Sequence, residues 1–139
     1  MATIFTRIIN GEIPALKVYE DADTLAFLDI APASPGHTLV ICKNEVATLM
    51  ELSDAQLLAT ARTTQRVAAA LQKALQPDGI NIMQNNGAAA GQTVFHYHVH
   101  LIPRWNDDGV MQFWQPKSMS QADFAEMVIK ISQALLTRR

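Results

Sequence analysis

Over residues 93–103 the chain alternates between polar and apolar positions, the two-residue period of a strand whose faces meet different surroundings. Phe95, Tyr97, Val99 and Leu101 fall on one face, and His96, His98 and His100 on the other. Adjacent imidazoles are then rooted roughly 6.7 Å apart. Pro103 lacks a backbone donor and is expected to close the run.

The other elements can be laid out around this strand. Residues 4–9 read as a short helical turn closed by Asn10, Gly11 and Pro14. Residues 16–20 and 24–30 form a hairpin about the polar turn Asp21-Ala22-Asp23. A loop of backbone punctuators, residues 31–36, leads into a mostly apolar third strand, residues 37–42, expected near the centre of a sheet. Asn44 is placed to cap a short helix running to Met50. Ser53 and Gln56 make a capping-box pattern at the start of the longest helix. Its Leu57, Ala61, Thr64, Ala68, Leu71 and Leu75 recur at steps of four and three, a stripe to lie on the sheet. Pro77 and Gly79 stop that helix, residues 79–84 form a fourth strand, and a glycine-bearing loop, residues 85–92, delivers the chain into the histidine strand. After an irregular stretch, Ser120 and Asp123 open a C-terminal helix striped by Phe124, Met127, Val128, Ile131 and Leu135, with Arg138 and Arg139 complementing its dipole. This order predicts an α+β fold in one domain, residues 1–139: a five-stranded antiparallel sheet with the long helix and the C-terminal helix packed on it.

Composition narrows the setting. At 139 residues the chain suits a single core, and a formal charge of −2 leaves no basic footprint for nucleic acid. An anionic ligand must therefore be held by local donors rather than by a global field. Cys42 is the only cysteine, so a reducing compartment is expected. No apolar run has the length of a signal peptide core or a bilayer span, which points to the cytoplasm and away from membranes.

Three of the four histidines share one strand face, and three readings of them compete. They can be a solvated or packed face. They can ligate a metal, since histidines two apart on a strand reach one ion, with His37, Cys42 or a carboxylate as a further ligand. Or one imidazole can be a nucleophile: a neutral ring with a pKa near 6.5 attacks well at pH 7 if its other nitrogen is held as a donor. The loop around Gly91 and Thr93 would then supply amide groups that approach an anion closely. Spacing alone does not fix the substrate.

At His96-Tyr97-His98-Val99-His100-Leu101-Ile102 the sequence resembles the histidine-triad (HIT) family motif, in which three histidines alternate with apolar residues. Residues 4–14, 25–30, 35–41 and 90–94 resemble further blocks of the family, in order, so the likeness covers about residues 4–104, with residues 105–139 as a C-terminal extension. The N-terminal block is similar to bacterial Hint-like members. The resemblance implies a HIT-like fold and a nucleotide-binding hydrolase, such as a purine nucleoside phosphoramidase, that needs no metal or other cofactor for its chemistry. Residue by residue it implies His98 as the nucleophile toward an α-phosphorus, with His100 on the phosphate oxygens and His96 and His37 in the supporting network. It also implies Gly91, Thr93 and Asn85 around the phosphate, Gln92 near the leaving group, Asp29 on the ribose, and Ile8, Phe27 and Ile30 around a purine. The alternatives it leaves are a diadenosine polyphosphate hydrolase and a nucleotide-binding regulatory module with incidental hydrolysis. Many bacterial relatives carry a structural zinc; here Thr3, Thr6 and Glu45 stand with His96 at the ligand positions, so no zinc is expected. Members of this size are usually homodimers joined through the long helix and the strand after it.

Overall fold

The computed structural model describes residues 2–137. Arg138 and Arg139, placed above against the C-terminal dipole, lie outside the described residues. The elements run α1 (Ile4–Ile9), β1 (Lys17–Glu20), β2 (Thr24–Leu28), β3 (Thr38–Cys42), α2 (Asp54–Leu75), β4 (Gly79–Met83), β5 (His98–Arg104) and α3 (Gln121–Leu136). The five strands form one antiparallel sheet in the order β1-β2-β3-β5-β4, with β3 at its middle as its apolar run requires.

The sheet buries both faces. Ala26, Val40, Val99 and Leu101 pack under α2 with Val67 and Leu52, while Leu25, Phe27, Leu39 and Ile41 meet Phe5 and Ile8 of α1. The capping box forms as read: Ser53 accepts from the Gln56 N–H, and the Gln56 side chain accepts from the Ser53 N–H. The short α1 is capped by Thr3, whose hydroxyl accepts from the Thr6 N–H. Gly36, with φ of 88°, passes so close under α2 that an added Cβ would collide with Leu75.

Several expectations need correction. The deepest face of α2 is Thr60, Thr63 and Val67, one position behind the predicted stripe; Ala68 and Leu71 of that stripe pack half-buried beside it, while Leu57 and Leu75 are exposed. No helix begins at Asn44; a short 3₁₀ turn over Leu49–Glu51 follows Thr48 instead. β5 starts only at His98, because the Tyr97 N–H turns away to the Val46 carbonyl at 2.6 Å, and half-exposed Phe95 does not share the face of Tyr97. Pro103 does not end the strand: it pairs opposite Ile80 and β5 continues to Arg104. The C-terminal helix is not packed on the sheet. One face is already taken by α2 and the other by α1 and the histidines, and every described residue of α3 is exposed, including Phe124 and Ile131 of its apolar stripe.

Candidate active site

β5 lies between β3 and β4, and its register puts His98 opposite Ile41 and His100 opposite Leu39. Alternation turns both imidazoles to the α1 side, where their ring centroids lie 5.0 Å apart. Phe5 of α1 stands edge-on to His98 at 5.0 Å. His37, at the entry to β3, reaches His100 with its ring 5.2 Å away. His96 sits in the bend before β5 with no exposure at all.

Hydrogen bonds set which nitrogen of each ring carries the proton. His98 Nδ1 lies 2.6 Å from the His96 carbonyl, which can only accept, so Nδ1 is the donor and Nε2 keeps a free lone pair. The Ala33 N–H donates to His37 Nδ1 at 2.9 Å, which makes His37 Nε2 the protonated nitrogen. That Nε2–H faces His100 Nδ1 at 3.0 Å, so a neutral His100 carries its hydrogen on Nε2. His96 gives its Nε2–H to the Cys42 carbonyl. Two neighbouring rings therefore present opposite capacities to the site, an electron pair on His98 and an N–H on His100.

Burial keeps all four rings neutral. It pushes His37, His96 and His98 below their ordinary range, and it drives His100 to about 4, with the positive charges that His98 and His37 would carry adding to the effect. Asp29 opposes the shift at His37, its Oδ2 lying 3.7 Å from Nε2. The unfolded chain thus binds more protons than the folded one between a pH near 6.5 and the depressed folded values. The stabilisation is complete above about pH 6.5 and is lost as pH falls below it. Melting followed by circular dichroism in a phosphate-free buffer is expected to show a falling midpoint from pH 7 to pH 5; a flat or rising one contradicts neutral burial.

Beside the rings is an apolar slot of about 150 Å³ whose walls include Ile8, Phe27 and Ile30, with Asp29 at its edge. Ile30 is 88% exposed and forms a lip. Asp29 Oδ1 accepts from the Ala31 N–H at 2.8 Å, a turn bond that leaves Oδ2 toward His37. On the other side, Met83 pairs with His100, so the loop after β4 starts level with His98. In that loop Gly91 takes φ of 99° against the Asn85 amide, and Thr93 is exposed. Gln92 departs from expectation. It is 3% exposed, its amide nitrogen donates to the Ala47 and Val94 carbonyls, and its oxygen accepts from the Gly87 N–H. Both donors being used, Gln92 pins the loop and has no N–H to offer a ligand.

The sequence model of the HIT domain matches residues 10–107. The chain belongs to the HIT domain family. Among its HIT relatives, "Protein hit" of Bacillus subtilis is 44% identical over 81% of this chain and 78% of its own. Adenosine 5'-monophosphoramidase hnt1 of Schizosaccharomyces pombe is 39% identical over 97% and 99%. A solved HIT family structure from Bacillus subtilis superposes with a TM-score of 0.89 at 36% identity, covering 96% of each chain.

The residues of this HIT chain do not fit a zinc at the family position. Thr3 Oγ1 lies 2.9 Å from His96 Nδ1, the other His96 nitrogen serves the Cys42 carbonyl, and Glu45 is already bonded to Thr3 and Thr6. Hydroxyls are not among the usual zinc ligands. Asp29, His37 and His100 also bring ligand atoms within 4.8 Å of one another. There the two rings face each other through a hydrogen bond, and the Ala33 N–H occupies the remaining His37 lone pair, so an ion would have to displace both.

Two contributors escaped the sequence reading. Phe5, one helical step of three before Ile8, backs His98, and that spacing on α1 was the available signal. Ala33 acts through its backbone and left no signal at all.

Proposed function

We propose that this protein hydrolyses nucleotides at the α-phosphate, with His98 as the attacking group and a purine nucleoside phosphoramidate as the substrate class. The observation carrying the proposal is the pairing of a free Nε2 lone pair on His98 with an N–H on His100, next to a slot that fits a flat apolar base. The base enters between Ile8, Phe27 and Ile30, and Asp29 Oδ2 accepts from the ribose hydroxyls. The loop of Asn85, Gly91 and Thr93 holds the phosphate. His98 Nε2 attacks the phosphorus as the bond to the leaving group breaks in line, and the leaving group takes up a proton from water. His100 Nε2–H donates to a non-bridging oxygen as charge builds there. His98 keeps its Nδ1–H on the His96 carbonyl, so the imidazolium character gained in the intermediate is shared with that oxygen. Water then cleaves the phosphorus–nitrogen bond and releases the mononucleotide.

The monophosphoramidase activity named for the Schizosaccharomyces pombe relative, which matches nearly the whole chain, supports the phosphoramidate. A panel of adenosine 5'-phosphoramidate, its guanosine and cytidine counterparts and a diadenosine polyphosphate tests it. Fastest turnover is expected on the purine phosphoramidates. Faster turnover of the diadenosine compound moves the assignment to the polyphosphate hydrolases. Tight mononucleotide binding with negligible turnover throughout makes the protein a regulatory module.

We also propose a homodimer. β4 is an edge strand with Ile82 half exposed, and the groove between it and α2 is lined by Ala61, Ala68, Tyr97 and Val99. Pairing two β4 edges would extend the sheet and cover that groove, and α3 brings a second unpartnered apolar stripe. Light scattering at micromolar concentration is expected to give twice the chain mass; the monomer mass contradicts the pairing. Cys42, a buried free thiol, supports a cytoplasmic setting. Among the described residues no helix is long and apolar enough to cross a membrane.

A further inference from the structure

The contacts around His96 form a directed chain that begins at an exposed carboxylate. Glu45 Oε1 accepts from the Thr3 N–H at 2.8 Å and from the Thr6 hydroxyl at 2.7 Å. The Thr6 hydrogen is thereby taken, and Thr6 Oγ1 is left as an acceptor 3.3 Å from Thr3 Oγ1 and 3.4 Å from His96 Nδ1. Thr3 Oγ1 accepts from the Thr6 N–H at 3.1 Å and turns its own hydrogen to His96 Nδ1 at 2.9 Å. The Cys42 carbonyl, which only accepts, takes the His96 Nε2–H, so Nδ1 accepts and the Thr3 hydroxyl holds that side of the ring. The carbonyl of that same residue holds His98 Nδ1–H at 2.6 Å. The clasp also ties the start of α1 to the loop after β3, and α1 carries Phe5 against the His98 ring.

We propose that Glu45 is a positioning residue for the His98 nucleophile, acting through Thr3, Thr6 and His96 where metal-bearing relatives would use an ion. Glu45 touches no reacting atom. It holds the Thr6 hydroxyl and the Thr3 backbone, the Thr3 hydroxyl holds one buried imidazole, and that residue's carbonyl takes the Nδ1–H of the next histidine. A contact that acts through an intervening side chain changes rate more than affinity, because a small misplacement of the attacking atom is costly while the proposed base slot stays intact. The inference rests on the proposed nucleotide hydrolysis for its kinetic part only.

The test compares Glu45→Ala, Glu45→Gln and Thr6→Val with the wild type. Long-range proton–nitrogen correlation spectra of protein labelled with ¹⁵N-histidine report each ring's tautomer without any substrate, and kcat and KM are measured on adenosine 5'-phosphoramidate. The wild type is expected to show His96 as the Nε2–H form and His98 as the Nδ1–H form. Glu45→Ala is expected to leave both tautomers in place, since the Cys42 and His96 carbonyls fix them, to shift the His96 Nδ1 resonance as its bond from Thr3 loosens, and to lower kcat about tenfold, with AMP affinity changed less than about threefold. Glu45→Gln keeps an accepting oxygen and is expected to stay within about twofold of wild type in both readouts. Thr6→Val keeps the side-chain shape, removes only the bridging hydroxyl, and is expected to behave as Glu45→Ala; it decides the matter if that variant does not fold. A wild-type His96 Nδ1 resonance together with wild-type kcat in Glu45→Ala or Thr6→Val overturns the inference, as does a Glu45→Gln variant as impaired as Glu45→Ala. A wild type that turns over no nucleotide defeats the hydrolase reading, while the spectra still decide the clasp.

Discussion

His98→Ala is expected to lower turnover of adenosine 5'-phosphoramidate by at least about a thousandfold, a loss of roughly 4 kcal/mol in transition-state stabilisation. The size follows from what the ring supplies. Its Nε2 is the site's one free, hydrogen-bond-oriented lone pair in this network, and alanine leaves water to attack the phosphorus unaided. Affinity for AMP is expected to change by less than about threefold, because the slot proposed for the base, with Ile8, Phe27 and Ile30, does not include His98. Titration calorimetry with AMP and steady-state rates on the phosphoramidate, run on the same preparations, separate the two effects. A variant that keeps near-normal rates removes His98 from the chemistry. One that loses binding and rate together makes it a binding residue instead.

His100→Ala carries the second large effect. The ring presents an N–H, in the proposed mechanism to the phosphate, only because Ala33 fixes His37 and His37 fixes His100. Removing one such preorganised donor typically lowers kcat by about 10²–10³-fold. His37→Ala keeps the donor but frees it to change tautomer, so a smaller loss of about tenfold is expected. The two act in series, and the double variant should be little worse than His100→Ala alone, with a coupling energy of about 1 kcal/mol. Independent, multiplying effects in this cycle would mean that His37 acts on the substrate by another route.

Much of this could be read from residues alone, and the failures have physical causes. The order of strands and helices along the chain, the capping box and the shared face of His98 and His100 follow from local sequence pattern, which reports on backbone geometry. The stripe on α2 was misplaced because its buried positions are partly threonines. Thr60 gives its hydroxyl to the Gln56 carbonyl one turn back and Thr63 pairs with Thr24 at 2.7 Å, so both are satisfied within the core while looking polar in the sequence. The stripe on α3 was read correctly as apolar and wrongly given a place on the sheet, since amphipathicity says that a face wants cover and not which surface provides it. Alternation continued backwards past His98 although pairing does not, because the bond from Tyr97 to Val46 is a tertiary event.

At the site, the family likeness names Ile8, Phe27, Asp29 and Ile30 together, and they line one slot, the one proposed for the base. Gln92 was legible only as a member of a motif; its geometry makes it the pin of a loop. The tautomers were not legible at all. They depend on the Ala33 N–H and on the carbonyls of Cys42 and His96, backbone groups that every residue has and that only the fold aims.

Single-turnover mixing of enzyme in excess over adenosine 5'-phosphoramidate, quenched into alkaline denaturant that preserves phosphorus–nitrogen bonds, followed by intact and peptide mass spectrometry, bears on attack by His98 most directly. Attack by His98 predicts a transient gain of one adenylyl group on the peptide containing that residue, absent from His98→Ala. An adduct on a different residue, or full turnover by His98→Ala with no adduct, would contradict it.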